Sequence, residues 1–213
     1  MPHPHFRLTF RLLAAAVGWF ALFLQYWLAM QADAGLSPVQ RTVNFFSYFT
    51  ILANLLAALA MTLPSLTPGS AAGRFFARPS VRGAIAAWIM VVAFVYVLVL
   101  RQLWNPQGWA FVADASLHYL APALFVLDWL LFVPRRSLKP RQALWWLVLP
   151  VIYGLWTVLH GAVSGFHPYP FLEAPRLGYA AVALNMATVL AIFGAASLVV
   201  LAADRWLPGR NPA

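Results

Sequence analysis

The sequence contains no cysteine and very little charge. Of its 213 residues, 63% are hydrophobic and only 9% are charged. The lack of cysteine excludes disulfides, thiolate nucleophiles, zinc–thiolate sites and iron–sulfur clusters. The low charge and a mean hydropathy of +0.77 exclude an ordinary soluble domain and indicate a polytopic membrane protein.

Motifs for several common chemistries are also missing. The sequence has no phosphate-cradling glycine loop, no His-Glu-x-x-His metalloprotease motif and no Gly-x-Ser-x-Gly nucleophile elbow. We therefore expect no metal and no organic cofactor. The net charge of +9 does not indicate nucleic-acid binding, because the basic residues lie between apolar stretches and act as topology markers. The expected partners are the lipid bilayer and a membrane lipid, and the oligomeric state is left open.

Six apolar stretches are long enough to cross a bilayer as helices. A helix rises about 1.5 Å per residue, and the hydrocarbon core of a bilayer is about 30 Å thick. The sequence therefore predicts an all-α integral membrane protein, built as a single bundle of six transmembrane helices. The predicted helices cover residues 12–30, 42–63, 83–103, 111–133, 143–163 and 177–203.

The basic residues predict the orientation of this bundle. Of the 14 lysines and arginines, all but three lie in the N-terminal segment, the second and fourth loops and the C-terminal tail. The exceptions are Arg41, Arg101 and Arg176. By the positive-inside rule, both termini are predicted to be cytoplasmic. The first stretch is longer than the roughly 7–15 apolar residues of a signal peptide, so we interpret it as a retained helix.

Polar side chains mark one face of the second predicted helix. Ser47, Thr50 and Asn54 are spaced i, i+3 and i+7, which places them on the same side. Such a stripe inside a membrane must face protein or water rather than lipid. The fourth predicted helix carries His118. Measured from the predicted outer end of each helix, His118 lies roughly 9–11 Å along the fourth helix and Thr50 roughly 10–12 Å along the second, so the two have a similar depth.

A hydroxyl and an imidazole at matched depth suggest a nucleophile and its general base. An adjacent histidine can activate a threonine, whose hydroxyl is a poor nucleophile at its free pKa. Asp114, four residues before His118, could orient the imidazole ring. An oxyanion would need side-chain donors, because the backbone N–H groups of an intact helix are already hydrogen bonded. The candidate substrate-binding residues are Ser47, Tyr48, Asn54, Asp114, Asn185 and His160.

Structural roles compete with these assignments. A threonine in a spanning helix commonly donates its hydroxyl to its own i−4 carbonyl. A buried histidine commonly mediates helix contacts, although ionisable groups inside a membrane favour function. Asp128, in the other half of the fourth helix, is expected to cap a helix or to pair with basic groups of the predicted cytoplasmic side, such as Arg135 or Arg136. From composition and spacing alone, Thr50 and His118 are therefore a weak indication of catalysis.

Three segments carry a resemblance to known proteins, and together they extend from the second to the sixth predicted helix. The segments are residues 46–55, residues 117–122 with 128–129, and residues 169–172 with 178–179 and Asn185. They resemble a bacterial family of six-helix membrane proteins. That family is similar to the eukaryotic androgen-induced and androgen-dependent TFPI-regulating membrane proteins. His167 departs from the bacterial pattern, in which an aromatic residue is expected there, and we interpret it as a tolerated loop change.

The resemblance implies a function as well as a fold. The eukaryotic proteins are threonine hydrolases that cleave fatty acid esters of hydroxy fatty acids, with a threonine on the second helix and a histidine on the fourth. Thr50 and His118 occupy the matching helices here. The resemblance also implies a bacterial inner membrane as the location. We therefore predict an intramembrane threonine hydrolase of lipid esters, with the acyl tail in the apolar inner half and the loop around Pro168 and Pro170 as a lid.

Two other functions stay open. His118 and His160 come from different helices and could ligate a haem from two sides. The protein could also bind or transport a lipid or small molecule without catalysis. Broken helices and internal repeats would favour a transporter, and the sequence suggests little of either beyond Pro122 and Pro150. The hydrolase hypothesis differs from both because it requires the hydroxyl of Thr50 itself.

Overall fold

The computed structural model describes residues 4–32 and 35–208, and the regular structure within these residues is all helical. The fold class predicted from the sequence is confirmed to that extent, since six helical segments are long and apolar enough to cross a membrane. The α-helices are α1 (Pro4–Gln31), α2 (Pro38–Phe46), α3 (Phe49–Leu66), α4 (Ala71–Ala77), α5 (Pro79–Leu98), α6 (Trp109–Ala115), α7 (Ala121–Phe132), α8 (Gln142–Trp146), α9 (Val148–Ser164), α10 (Ala174–Leu177) and α11 (Tyr179–Trp206).

The six candidate spans follow the predicted order with shifted ends. A π-helical turn, Ser116–Leu120, joins α6 to α7 within the fourth span. Short helices α4 and α10 lie in segments that the sequence predicted to be loops. The candidate spans are His5–Gln31, Phe49–Leu66, Pro79–Gln102, Gly108–Phe132, Gln142–Ser164 and Tyr179–Trp206.

The second predicted helix, residues 42–63, is wrong as a single element. The chain leaves helical geometry at Ser47 and Tyr48, and Tyr48 has an extended backbone with φ −89° and ψ 126°. No glycine or proline causes this break. The Tyr153 hydroxyl of α9 satisfies the Ser47 carbonyl that the break frees, donating to it at 2.9 Å, and the Trp156 indole of the same helix donates to the Ser47 side-chain Oγ at 3.2 Å.

Small side chains allow α1 and α3 to pack closely along their length. A Cβ on Gly18 would lie 3.4 Å from Ala58 Cβ, and buried alanines of both helices belong to one apolar cluster. Small residues at such interfaces let helices approach closely where no hydrophobic force drives association. Helix α5 packs against α3, α7 and α11. By contrast, α9 packs sparingly against α11.

A buried ion-pair cluster ties together three helices away from Thr50. The Asp128 carboxylate of α7 accepts a hydrogen bond from Arg11 Nε at 2.7 Å and another from the Arg82 guanidinium. Asp128 therefore pairs with basic groups of the side predicted to be cytoplasmic, as expected, but these are Arg11 and Arg82 rather than Arg135 or Arg136. Arg135 instead lies over the ring of Trp129, 4.5 Å from its centroid. The Arg136 N–H donates to the Asp204 carbonyl at 3.0 Å. The sequence prediction missed Arg11 because α1 begins at Pro4 rather than at residue 12.

Candidate active site

Thr50 lies in the first turn of α3, directly after the break in the second span. Tyr48 is the N-cap residue of that helix, so the Thr50 N–H has no acceptor within the helix. It donates instead to the Tyr169 hydroxyl at 3.4 Å. The positive end of the helix dipole is also at this point, which favours negative charge beside Thr50. The expectation that backbone donors would be used up in an intact helix is therefore wrong.

The Thr50 hydroxyl behaves differently from other threonine hydroxyls in the protein. Five threonines donate their hydroxyl to the carbonyl four residues earlier, the usual arrangement in a spanning helix. They are Thr42, Thr62, Thr67, Thr157 and Thr188. The Thr50 hydroxyl instead lies 3.5 Å from His118 Nε2 and 3.4 Å from the Tyr169 hydroxyl. Thr50 is only 7% exposed, so its hydroxyl is shielded from bulk solvent.

His118 comes from the π-helical turn in the fourth span. Its Nδ1 lies 3.0 Å from the Asp114 carbonyl oxygen and 3.2 Å from Asp114 Oδ1. Both oxygens are acceptors, so Nδ1 carries the proton and Nε2 can accept one from Thr50. Single π turns within helices are frequent at functional sites. Asp114 is only 3% exposed, so its carboxylate is shielded from bulk solvent.

Tyr96 of α5 contacts both the His118 imidazole and Asp114, and the sequence prediction missed this tyrosine. Its ring stacks on that of His118 with centroids 3.9 Å apart and planes 14° apart. Its hydroxyl donates to the Asp114 carboxylate. Tyr96 therefore fixes both the base and the acid that orients it. No motif in an apolar helix distinguishes such a tyrosine from a core residue.

Tyr169 is the second residue that the sequence prediction omitted from the site. It lies in the segment between α9 and α11, and its hydroxyl reaches both the N–H and the hydroxyl of Thr50. Burial raises the pKa of Tyr169, and its contacts with Thr50 lower it less. The hydroxyl therefore remains a donor at neutral pH. The resemblance pointed to the surrounding residues 169–172 but gave Tyr169 no role.

Two of the proposed binding residues act on the backbone around Thr50. The Asn54 amide donates to the Thr50 carbonyl at 2.8 Å and to the Leu117 carbonyl at 3.1 Å, which joins α3 to the turn that carries His118. Ser47 is fully buried, but its hydroxyl donates to the Val43 carbonyl. Because the helix breaks after Ser47, the expected face shared by Ser47, Thr50 and Asn54 is wrong.

The remaining candidates surround the segment that carries Tyr169. The ring of Tyr48 packs edge-on against Tyr169, with centroids 5.8 Å apart. The Asn185 amide donates to the Phe171 carbonyl at 2.8 Å and so fastens this segment to α11. His160 Nε2 lies 3.1 Å from Asn44 Oδ1, and its ring stacks on Trp156. These side chains support the site rather than form its reacting centre.

Two cavities meet at Thr50 and Tyr169. The first, of about 220 Å³, lies among α5, α9 and α11, and its lining is almost entirely apolar. We call it the apolar chamber. The second, of about 440 Å³, is also lined mainly by apolar side chains but carries several polar groups, among them His118, Asp114, Arg41 and Asn44, and we call it the polar chamber. His160 lines neither chamber, so nothing in this arrangement brings the two histidines to a common haem.

Within residues 4–32 and 35–208, no group of three or more His, Cys, Asp or Glu side chains could hold a metal ion. The groups that converge on Thr50 are instead those of nucleophilic acyl transfer: a hydroxyl, an imidazole with its carboxylate, and hydrogen-bond donors for an oxyanion. The hydroxyl–imidazole distance of 3.5 Å is longer than an ideal hydrogen bond, as is common in catalytic sites without substrate.

Comparisons with family models, curated proteins and solved structures found no match to this chain.

Proposed function

We propose that this protein is an intramembrane hydrolase of lipid esters, with Thr50 as the nucleophile and His118 as the general base. The observation that carries the proposal is the Thr50 hydroxyl, which lies 3.5 Å from His118 Nε2 and has no carbonyl four residues earlier in its own helix, because α3 begins at Phe49. The resemblance of the sequence to the threonine hydrolases of fatty acid esters of hydroxy fatty acids supports the same two residues. The site belongs to a multi-pass membrane protein with, we propose, both termini in the cytoplasm of a bacterial cell.

The first half-reaction transfers the acyl group to Thr50. His118 Nε2 takes the hydroxyl proton as Thr50 Oγ forms a bond to the ester carbonyl carbon. The oxyanion that develops accepts hydrogen bonds from the Thr50 N–H and the Tyr169 hydroxyl at the start of α3. The bond from the carbonyl carbon to the alcohol oxygen then breaks, and His118 gives its proton to the leaving alcohol.

The second half-reaction releases the acid. A water molecule in the polar chamber gives a proton to His118 as its oxygen bonds to the acyl carbon. The bond to Thr50 Oγ breaks, and His118 returns the proton to Thr50. Asp114 stabilises the imidazolium in both halves through Nδ1.

The test is covalent labelling of the purified protein by a fluorophosphonate, together with hydrolysis of lipid esters. We expect wild type to be labelled and Thr50→Ala and His118→Ala to remain unlabelled. Thr188→Ala is the matched control, because its hydroxyl bonds its own helix and it should label as wild type does. Elution as a single species in size-exclusion chromatography checks that each variant is folded. Equal labelling of Thr50→Ala and wild type would overturn the proposal.

Lipid binding or transport without catalysis is the second candidate. The break at Ser47 and Tyr48 and the π turn at Ser116–Leu120 favour it, since interrupted helices commonly border transport sites. The two hypotheses differ in what Thr50→Ala does. A binding protein would retain lipid binding and have no ester-cleaving activity to lose, whereas the hydrolase would lose turnover and keep its substrate bound.

A further inference from the structure

The two chambers have different relations to the catalytic groups. Thr50, Leu100 and Tyr169 line both of them. His118 and Asp114 line only the polar chamber. The nucleophile therefore lies at the junction, while the proton carrier lies on one side of it.

We propose that the two arms of the ester lie in separate chambers, with the acyl chain in the apolar chamber and the leaving alcohol in the polar chamber. This inference rests on the proposed function. Its chemical basis is the proton transfer to the leaving alcohol, which requires the alcohol oxygen to be next to His118 Nε2. The acyl chain is the other substituent of the same carbonyl carbon, so it extends away from His118 through the junction.

The linings of the chambers match this assignment. Phe49, Val91, Val92 and Phe193 surround the apolar chamber near Thr50, which suits a hydrocarbon chain. The polar chamber has a mainly apolar lining as well, but it also carries the amides of Gln25 and Asn44 and the Arg41 guanidinium, which suits an alcohol that carries polar groups. The substrate class is therefore an ester of a long-chain acid with a polar alcohol. The acyl tail, which the sequence analysis places in the apolar inner half, lies in this proposal between α5, α9 and α11.

The apolar chamber reaches the side of the bundle between α9 and α11. Val151 and Leu155 both line it, and they are 42% and 63% exposed on the outer surface of α9. The sparse packing of α9 on α11 leaves room for a chain to pass between the two helices. The acyl chain therefore enters sideways, from the hydrocarbon region of the bilayer.

Gly154 controls how much of the apolar chamber is free. A Cβ at this position would lie 2.7 Å from Met186 Cε, the end of a flexible side chain that also lines the chamber. Gly154→Ala is therefore tolerated by a small shift of Met186, whereas Gly154→Leu fills the chamber. Ala29→Phe is the counterpart that fills the polar chamber.

The experiment uses two ester series on the full-length protein. One series varies the acyl chain from acetyl to octanoyl with a constant alcohol, and the other varies the alcohol with a constant acyl group. In wild type each further methylene should raise kcat/KM by up to about four-fold until the chamber is full. Gly154→Leu should lower the octanoyl-to-acetyl ratio by about ten-fold or more and leave the alcohol preference within two-fold. Ala29→Phe should instead change the alcohol preference by about ten-fold or more and leave the octanoyl-to-acetyl ratio within two-fold. Gly154→Ala should give an octanoyl-to-acetyl ratio between those of wild type and Gly154→Leu.

Two matched controls separate chamber filling from misfolding. Gly194→Leu adds the same side chain where a Cβ meets nothing within 4 Å, and Ala16→Phe adds a ring to an exposed position of α1. Both should retain the wild-type ratios. The assignment of the arms is overturned if Gly154→Leu shifts the alcohol preference, or if neither chamber variant shifts its own ratio.

A binding measurement distinguishes the failure of this inference from the failure of the proposed function. Displacement of a fluorescent fatty acid is measured on Thr50→Ala, which has no nucleophile, and on Thr50→Ala with Gly154→Leu. We expect the second variant to bind the fatty acid at least ten-fold more weakly. If wild type cleaves no ester but this difference remains, the proposed function fails and the tail chamber stands. If both variants bind equally, the tail chamber is overturned whatever the activity.

Discussion

Two buried aspartates on the fourth span lie in opposite environments. Both oxygens of Asp128 accept hydrogen bonds from arginines, and its neighbourhood includes Ala60, about 15 Å further along α3 than Thr50. Asp114 faces the stacked rings of Tyr96 and His118, beside a cavity. One aspartate thus belongs to an ion-pair cluster that lines neither chamber, the closed end of the bundle, and the other to a cluster that lines a cavity, the open end.

The difference teaches how a membrane bundle divides its polar residues. A carboxylate that is enclosed by two guanidinium groups is fully occupied, and it holds α1, α5 and α7 together. A carboxylate that meets one imidazole leaves the opposite nitrogen, Nε2, free to act on the Thr50 hydroxyl. Burial alone does not distinguish the two, because Asp128 and Asp114 are 0% and 3% exposed. The groups that contact each carboxylate therefore indicate whether its role is structural or chemical.

Asp128→Asn is the change that should break the closed cluster. It leaves the buried Arg82 and the partly buried Arg11 with no carboxylate between them, and loss of one partner from a buried pair costs about 3–5 kcal/mol of unfolding free energy. Unfolding in increasing SDS, followed by tryptophan fluorescence, measures the cost. Glu173→Gln removes an exposed carboxylate that pairs with Arg176, and it should change the stability by less than about 1 kcal/mol. Equal stability of Asp128→Asn and wild type would show that the cluster does not hold the helices.

Asp114→Asn should leave the stability nearly unchanged and lower the activity. The amide keeps an acceptor for the Tyr96 hydroxyl, so the unfolding transition should stay close to that of wild type. In the proposed mechanism, it removes the charge that stabilises the protonated His118 in the transition state. We expect kcat for ester hydrolysis to fall about 10²–10³-fold. A variant that is destabilised and fully active would remove the functional distinction between the two aspartates.

The sequence could predict the closed end only in outline. Asp128 was identified as a buried charge, but its partners depend on where α1 begins and on the packing of α5 against α7. Neither follows from hydropathy, because Arg11 and Arg82 flank apolar stretches and resemble ordinary topology markers. The six spans themselves were predictable because length and apolar composition suffice for them.

The candidate site was predictable as a pair but not as a constellation. Matched depth from the helical rise brought Thr50 and His118 together, and the structure places the hydroxyl and the imidazole 3.5 Å apart. The break before Thr50 was not predictable, since Tyr153 and Trp156 of a distant helix hold it open. Tyr169 reaches the site only through the path of a loop. Tertiary hydrogen bonds decided each of these features, and local sequence carries no record of them.

Tyr169→Phe tests whether the open end includes an oxyanion donor. The substitution removes one hydroxyl and retains the buried ring and its edge-on contact with Tyr48. If the hydroxyl binds the oxyanion only in the transition state, kcat should fall about 10²-fold while KM changes little. Tyr179→Phe, a change at an exposed ring on α11, is the matched control and should retain the wild-type kcat.

The pH dependence of the same pair sharpens the test. Burial raises the pKa of Tyr169 above its ordinary value of 10.0, so the hydroxyl stays protonated, and able to donate, through pH 9 and up to that value. Wild type should therefore show no loss of kcat from Tyr169 ionisation between pH 8 and 9.5, and the ratio of wild-type to Tyr169→Phe rates should stay constant across this range. A ratio that falls toward one within it would mean that the hydroxyl ionises too readily to serve as the donor. The oxyanion would then depend on the Thr50 N–H and the helix dipole alone.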